Sequence, residues 1–390
     1  MAQSKSCDLD LTCENSQALD LFDSAITAYL ASSNEVPEIM QALLAADEKM
    51  PMAFILQVYL MKLAAHPNLA ATIEEMASRA RDLPMNTREE MHLQAMQAWL
   101  AGHSDQTLKI LEELTDQWPT DIIALRIAHY LHFYNGSGAD MAKSTGKALA
   151  SWAQDHPHYS YLQGMHGFGL EEAGEYRAAR RILEQALQTN RNDLWSVHAL
   201  DHAFYMQGEH VQGLSWLREF LDLLPGANNF GNHIVWHEAL HHFAMGDFDA
   251  VLSIYDERLE ATVKDDFYLD MCNNAALLWR LEESGVDVGE RWLKLAEHAD
   301  QHTDDQELLF ASLHYALPLI RTAPSAFAKL TSTFEHWAAS STHQGDVCRD
   351  LGLSLLHSMQ DSRLRPETVH DLAAIGGSKA QRELFLAPAV

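Results

Sequence analysis

Positive charge is scarce in this 390-residue chain: 27 lysines and arginines stand against 55 aspartates and glutamates, for a formal charge of −28 at pH 7. A surface of that sign repels phosphate backbones and anionic headgroups, so nucleic acid and membrane surfaces drop out as partners. Cysteine is scarce too. The four present, Cys7, Cys13, Cys272 and Cys348, form neither a CxxC pair nor a disulfide framework. Long apolar runs are missing: residues 53–60 are interrupted by Gln57 and followed by Lys62, well short of the roughly 20 residues a spanning helix needs. The first twelve residues, MAQSKSCDLDLT, lack a signal peptide's apolar stretch, so the expected location is a reducing, cytoplasmic one. Alternating β-branched runs bounded by turn dipeptides are also absent, which argues against strands. No Ser-His-Asp set, Gly-rich phosphate loop or Cys-His dyad stands out.

What is present is a globular composition, 47% hydrophobic and 21% charged, and a repeat. Turn signals recur at Asn34, Asn68, Gly102, Gly136, Gly174, Gly208, Gly246 and Gly285, at intervals of 34, 34, 34, 38, 34, 38 and 39 residues. The tetratricopeptide period is 34. Amphipathic runs such as YRAARRILEQAL and FDAVLSIYDERL follow the turns, and helical patterns precede them, so each glycine sits where a tight helix-helix connection needs φ > 0. The expected fold is an all-α solenoid of tetratricopeptide-like helix-turn-helix repeats, wound as a curved or closed superhelix. A flexible tail over residues 1–15 would precede a single domain over 16–390, made of about eight hairpins with C-terminal capping helices. Intervals of 38 and 39 residues predict longer helices or modified turns in the later units, and the phase blurs after about residue 300.

The first helix of each unit lines the inner face of such an array, which makes it the place to seek a site. With Gly208 at position 15 of a 34-residue unit, Trp195, His198, His202 and Tyr205 occupy the groove-facing positions 2, 5, 9 and 12. His198 and His202 are helical neighbours, and His233 and His237, with Trp236 beside them, repeat that i, i+4 spacing one unit later. Residues 166–242 hold eight histidines where the average density predicts about four. We therefore expect His198, His202, His233 and His237 to converge on one inner cavity walled by Trp195 and Trp236. The run HEALH at residues 237–241 matches the H-E-x-x-H zinc-protease pattern, but it lacks a third ligand at a known spacing and lies in a repeat that already explains its helix.

The segments WSVHALDH (195–202) and HIVWHEAL (233–240) resemble those of the tetratricopeptide repeat protein 38 family. The resemblance runs on through ALRIAHYLHFYNG, GMHGFGLEE, YDERL, WRLEESGVDVGERW, LLFASLH, RDLGLSL and GGSKAQRELF, over most of residues 120–385. It implies a helical-repeat fold and assigns motif positions to His129, His198, His202, His233, His237, Asp270, Arg280, His314, Arg349 and Asp350. Glu238 and His241 are not part of that motif, which weakens the protease interpretation further.

These residues favour an inner pocket of imidazoles and aromatic rings that binds a small molecule. General acid/base or metal-assisted chemistry, of hydrolase or lyase type, suits histidines without a cofactor motif, and a divalent metal at the four-histidine set is the one cofactor they imply. The rival is an interaction scaffold holding a peptide or partner helix in its groove, although the best-placed groove positions carry His, Trp and Tyr where a carboxylate clamp needs Lys and Arg. The third alternative is a tightly wound core in which the histidines only satisfy hydrogen bonds. The sequence leaves a homo-oligomer open.

Overall fold

Each glycine turn of the repeat closes its helix in the same way. Gly102, Gly136, Gly174, Gly208, Gly246 and Gly285 all take φ between 68° and 83°, the left-handed region that costs glycine nothing. The N–H of Gly174 bonds the Glu171 carbonyl, and the next N–H, of Glu175, reaches back to Leu170, both at 2.8 Å; Gly208 with Glu209 and Gly246 with Asp247 repeat this 6→1 pattern. At the first two turns no glycine is available, and Ser32 (φ 57°) and Ala65 (φ 48°) take up the strained conformation within three residues of Asn34 and Asn68.

The computed structural model describes residues 3–6, 9–360 and 372–386. Its helices pair as hairpins along the chain. The first are Ser16–Leu30 with Val36–Ala46, Pro51–Leu63 with Ala70–Arg81, and Thr87–Leu100 with Ser104–Gln117. Ile122–Tyr134 with Gly138–Leu149, Tyr159–Glu172 with Tyr176–Thr189, and Leu194–Met206 with His210–Arg218 follow. Then come Phe230–Ala244 with Phe248–Ile254, Tyr268–Glu283 with Arg291–Gln301, and Leu309–Thr322 with Pro324–Ala338. The fold is an all-α solenoid. No helix among the described residues is long and apolar enough to cross a membrane.

By its internal contacts the chain divides into two compact units. The first takes Met1–His132, Gly138–Ala203 and Asp222–Asn228; the second takes Phe133–Ser137, Phe204–Leu221 and Asn229–Val390. Contacts in a repeat array are local, so such a division needs no change of fold. The first unit is centred on Phe22, Phe54, Ile55 and Tyr59, and the second on Trp236, Tyr255, Phe334 and Trp337, all at most 2% exposed.

Two departures from expectation have local causes. The stretch taken for a flexible tail carries an antiparallel ribbon, Gln3–Ser6 with Leu9–Thr12. It is anchored because Leu11 is fully buried and Glu89 accepts both the Thr12 N–H (2.7 Å) and its hydroxyl (2.6 Å). The extra residues of the later units go into non-α segments. Leu221–Gly226 and Glu260–Asp265 are 3₁₀, while Tyr255–Leu259 and Cys348–Gly352 are π-helical. An inserted residue in a continuous helix is absorbed as such a π turn.

Candidate functional site

In the first unit the Leu194–Met206 helix is buried over most of its length, which is why its polar positions stand out. His198 and His202 lie one turn apart with ring centroids 4.3 Å from each other. Phe168 packs against both, at 5.7 and 5.8 Å, and Trp195 lies 5.7 Å from His198. His202 Nδ1 is 3.4 Å from Glu171 Oε2, and both side chains are at most 2% exposed. Burial alone would lower the His202 pKa, but the Glu171 carboxylate outweighs it and the net shift is upward. Glu171, Glu172 and His202 can also offer ligand atoms within 4.8 Å of one another.

His129 belongs to the same aromatic cluster, 5.7 Å from Trp195 and 5.9 Å from Phe168. It is 1% exposed, neither ring nitrogen has a hydrogen-bond partner among the described residues, and burial followed by the Arg126 charge pushes its pKa well down. Arg126 lies over the Trp195 ring at 4.2 Å and the Tyr130 ring at 4.6 Å.

In the second unit the Phe230–Ala244 helix carries the other pair. His233 and His237 approach through their Nε2 atoms at 3.3 Å. Asn273 Oδ1 lies 3.0 Å from His233 Nδ1, which therefore carries the proton and leaves an Nε2 lone pair. Trp236, fully buried, stacks on His233 at 5.2 Å and 15°. Asp270, one turn before Asn273, accepts from Asn229 (2.8 Å) and Asn232 (3.3 Å) through Oδ2, while its buried Oδ1 has no hydrogen-bond partner. Burial raises its pKa to about 7, against the pull of those two amides.

The HEALH run separates into unrelated roles. His241 Nδ1 meets His210 Nδ1 at 3.2 Å, with Tyr205 packed against both rings, whereas His237 faces His233. Glu238 pairs with Arg258 at 2.5 Å, so the carboxylate a zinc protease uses as base is committed elsewhere.

The remaining residues picked from sequence scatter. His314 donates Nδ1–H to the Phe310 carbonyl (2.7 Å), sits between Phe310 and Phe385, and is lowered to about 3 by burial. Arg280 donates to the carbonyls of Ala276 and Ala380. Arg349 and Asp350 do not join a buried cluster: they pair with each other at 3.2 Å, and Arg349 with Asp346, on side chains 51% and 71% exposed. A π turn carries them, and its buried face is filled by Cys348, Leu351 and Gly352.

Sequence reasoning missed Asn273, Glu171 and Phe168, because each is defined by a partner in another helix. It also missed a buried network in which Arg88 and His92 both hold Asp121, at 2.6 and 2.9 Å. A small pocket beside that network is lined by Arg88, Asp121 and His158 with Leu11, Phe22 and Ile26.

No family model matches the chain. Among solved structures, one titled "Structure of Naa15/Naa10 bound to HypK-THB" is similar at 12% sequence identity and a TM-score of 0.28, covering 92% of this chain and 58% of that chain. The chain thus spans less than two thirds of that structure's length. The chain folds as an all-α solenoid of helical hairpins. Its turns, hairpins and period carry that statement.

Proposed function

We propose that this helical-repeat protein binds a divalent first-row metal ion through the buried imidazoles of His233 and His237 in the second unit, and uses it on a small substrate. The observation that carries this reading is the 3.3 Å between His233 and His237 Nε2. Tetrahedral ligands held about 2.0–2.1 Å from zinc lie about 3.3–3.4 Å apart, so the two nitrogens already span one edge of such a site. Their orientation supports it, since the Asn273 amide oxygen holds His233 Nδ1–H as outer acceptors hold metal-bound imidazoles.

A bound ion would supply a Lewis acid and an activated water, which fits hydrolytic or lyase chemistry. The family motif positions at His198, His202, His233 and His237 lead us to propose tetratricopeptide repeat protein 38 kinship as well. Three free, buried cysteines, Cys13, Cys272 and Cys348, support a reducing cytoplasmic setting.

The test is metal analysis of the full chain, purified without chelator, beside His233→Ala and His237→Ala. One ion per wild-type chain, lost in both variants with folding retained, supports the site. Full occupancy in either variant refutes it. An ordinary imidazole-imidazole hydrogen bond would show no metal in any of the three.

A further inference from the structure

Around the His233–Trp236 stack the second unit leaves hydrogen-bond donors without acceptors. Trp236 is 0% exposed, and its Nε1–H has no partner among the described residues. Asn273, 1% exposed, uses its Oδ1 on His233, while its Nδ2 has none among them. Buried donors left in this way are rare, because each one gives up hydration with no return.

Arg280 adds a cation. Its guanidinium carbon lies 5.9 Å from the Trp236 ring centroid. It donates only to carbonyls, of Ala276 and Ala380, and no carboxylate of the described residues stands within 4 Å of it. Glu383, the acid that acts on it, pairs instead with Lys379 at 4.0 Å. Other arginines of this acidic chain take a carboxylate: Arg88 has Asp121, Arg258 has Glu238, Arg291 has Asp256 and Arg321 has Glu282. A guanidinium without a carboxylate, 5.9 Å from the ring that carries one vacant N–H and on the same helix as the other, matches a ligand that brings its own negative oxygens. Asp270, one turn from Asn273, opposes this only when ionised, and burial raises its pKa to about 7.

The geometry points to an oxyanion subsite: Trp236 Nε1–H, Asn273 Nδ2–H and the Arg280 guanidinium bind a carboxylate or phosphate group of the substrate. Calling that ligand a substrate rests on the metal reading above, but the subsite is tested apart from it. Sodium phosphate and sodium acetate are titrated calorimetrically into the full chain against sodium chloride at constant ionic strength, with metal content measured on the same samples.

Saturable binding of one oxyanion per chain is expected from at least one of the two salts, and which one binds names the group. Arg280→Met and Trp236→Phe should each weaken it about tenfold or more, the loss of one charged or one well-placed donor. Arg280→Lys should recover part of the affinity, and metal content should not change. Trp236→Phe keeps the ring and removes only the N–H, so it decides the matter even where Arg280→Met fails to fold. No saturable binding of either anion, or unchanged affinity in Trp236→Phe, overturns the subsite. Anion binding by a chain that holds no metal overturns the metal reading alone.

Discussion

Replacing Asn273 with leucine separates a metal-orienting role from a packing one. Asn273 is 1% exposed, and its Oδ1 accepts the His233 Nδ1–H at 3.0 Å. Leucine has nearly the same volume but no acceptor, so the change frees the imidazole to rotate or shift its proton and strands one buried N–H. Outer acceptors of this kind are worth about 10- to 100-fold in metal affinity, or about 1.4–2.8 kcal/mol. The stranded N–H should cost the fold about 1–3 kcal/mol. Asn274 is the control. It is equally buried, and its Nδ2 donates to the Leu259 (3.2 Å) and Asp270 (2.9 Å) carbonyls, so Asn274→Leu should cost similar stability. Competition against a chromogenic zinc chelator reads affinity, and urea unfolding of the chelated proteins reads stability. Affinity should fall in Asn273→Leu alone. Unchanged affinity there, or an equal fall in Asn274→Leu, refutes the orienting role.

Other expectations concern the fold. Asp121→Asn leaves Arg88 and His92 buried without their anion and should destabilise by about 3–5 kcal/mol in urea melts. Burial opposes ionisation of Asp121, but His92 and Arg88 hold its pKa well below the ordinary range. Its stabilisation is therefore present above about pH 4 and lost as pH falls toward the folded value, so wild type should lose more stability than Asp121→Asn between pH 6 and 3. His302 behaves in the opposite sense: burial lowers its pKa, but Asp305 and Asp266, each 2.7 Å away, leave it raised. That contribution is full below about pH 6.5 and lost as pH climbs through the folded value, so the Tm advantage over His302→Gln should shrink from pH 6 to 9. At Gly213 an added Cβ would come within 2.3 Å of the His241 ring, so Gly213→Ala should cost about 1–3 kcal/mol by thermal melt, and an unchanged Tm would show that the ring gives way freely.

The hairpins were legible because glycine at a left-handed turn leaves a periodic mark, as at Gly174, Gly208 and Gly246. Ser32 and Ala65 show the limit, since residues that pay strain for the same turn carry no such mark and were located only by counting from Asn34 and Asn68. The later 38- and 39-residue intervals announced an irregularity but not its form. A π turn at Tyr255–Leu259 is set by which faces are buried across helices, not by local propensity. Within the candidate site, the i, i+4 pairs and their tryptophans follow from helical spacing alone. Asn273 and Glu171 do not, because their roles depend on which neighbouring helix they meet. His241 shows the same limit: HEALH aligns two histidines on one helix, yet the second turns to His210. Arg349 and Asp350, taken from motif resemblance, lie on the exposed side of a π turn that spacing could not reveal.

X-ray absorption at the metal edge of this 390-residue chain tests the central claim most directly. The account predicts a nitrogen shell at about 2.0–2.1 Å with the outer scattering of imidazoles, reduced by His233→Ala and by His237→Ala alike. A sulfur shell, an oxygen-only shell, or a spectrum that neither substitution changes would contradict it.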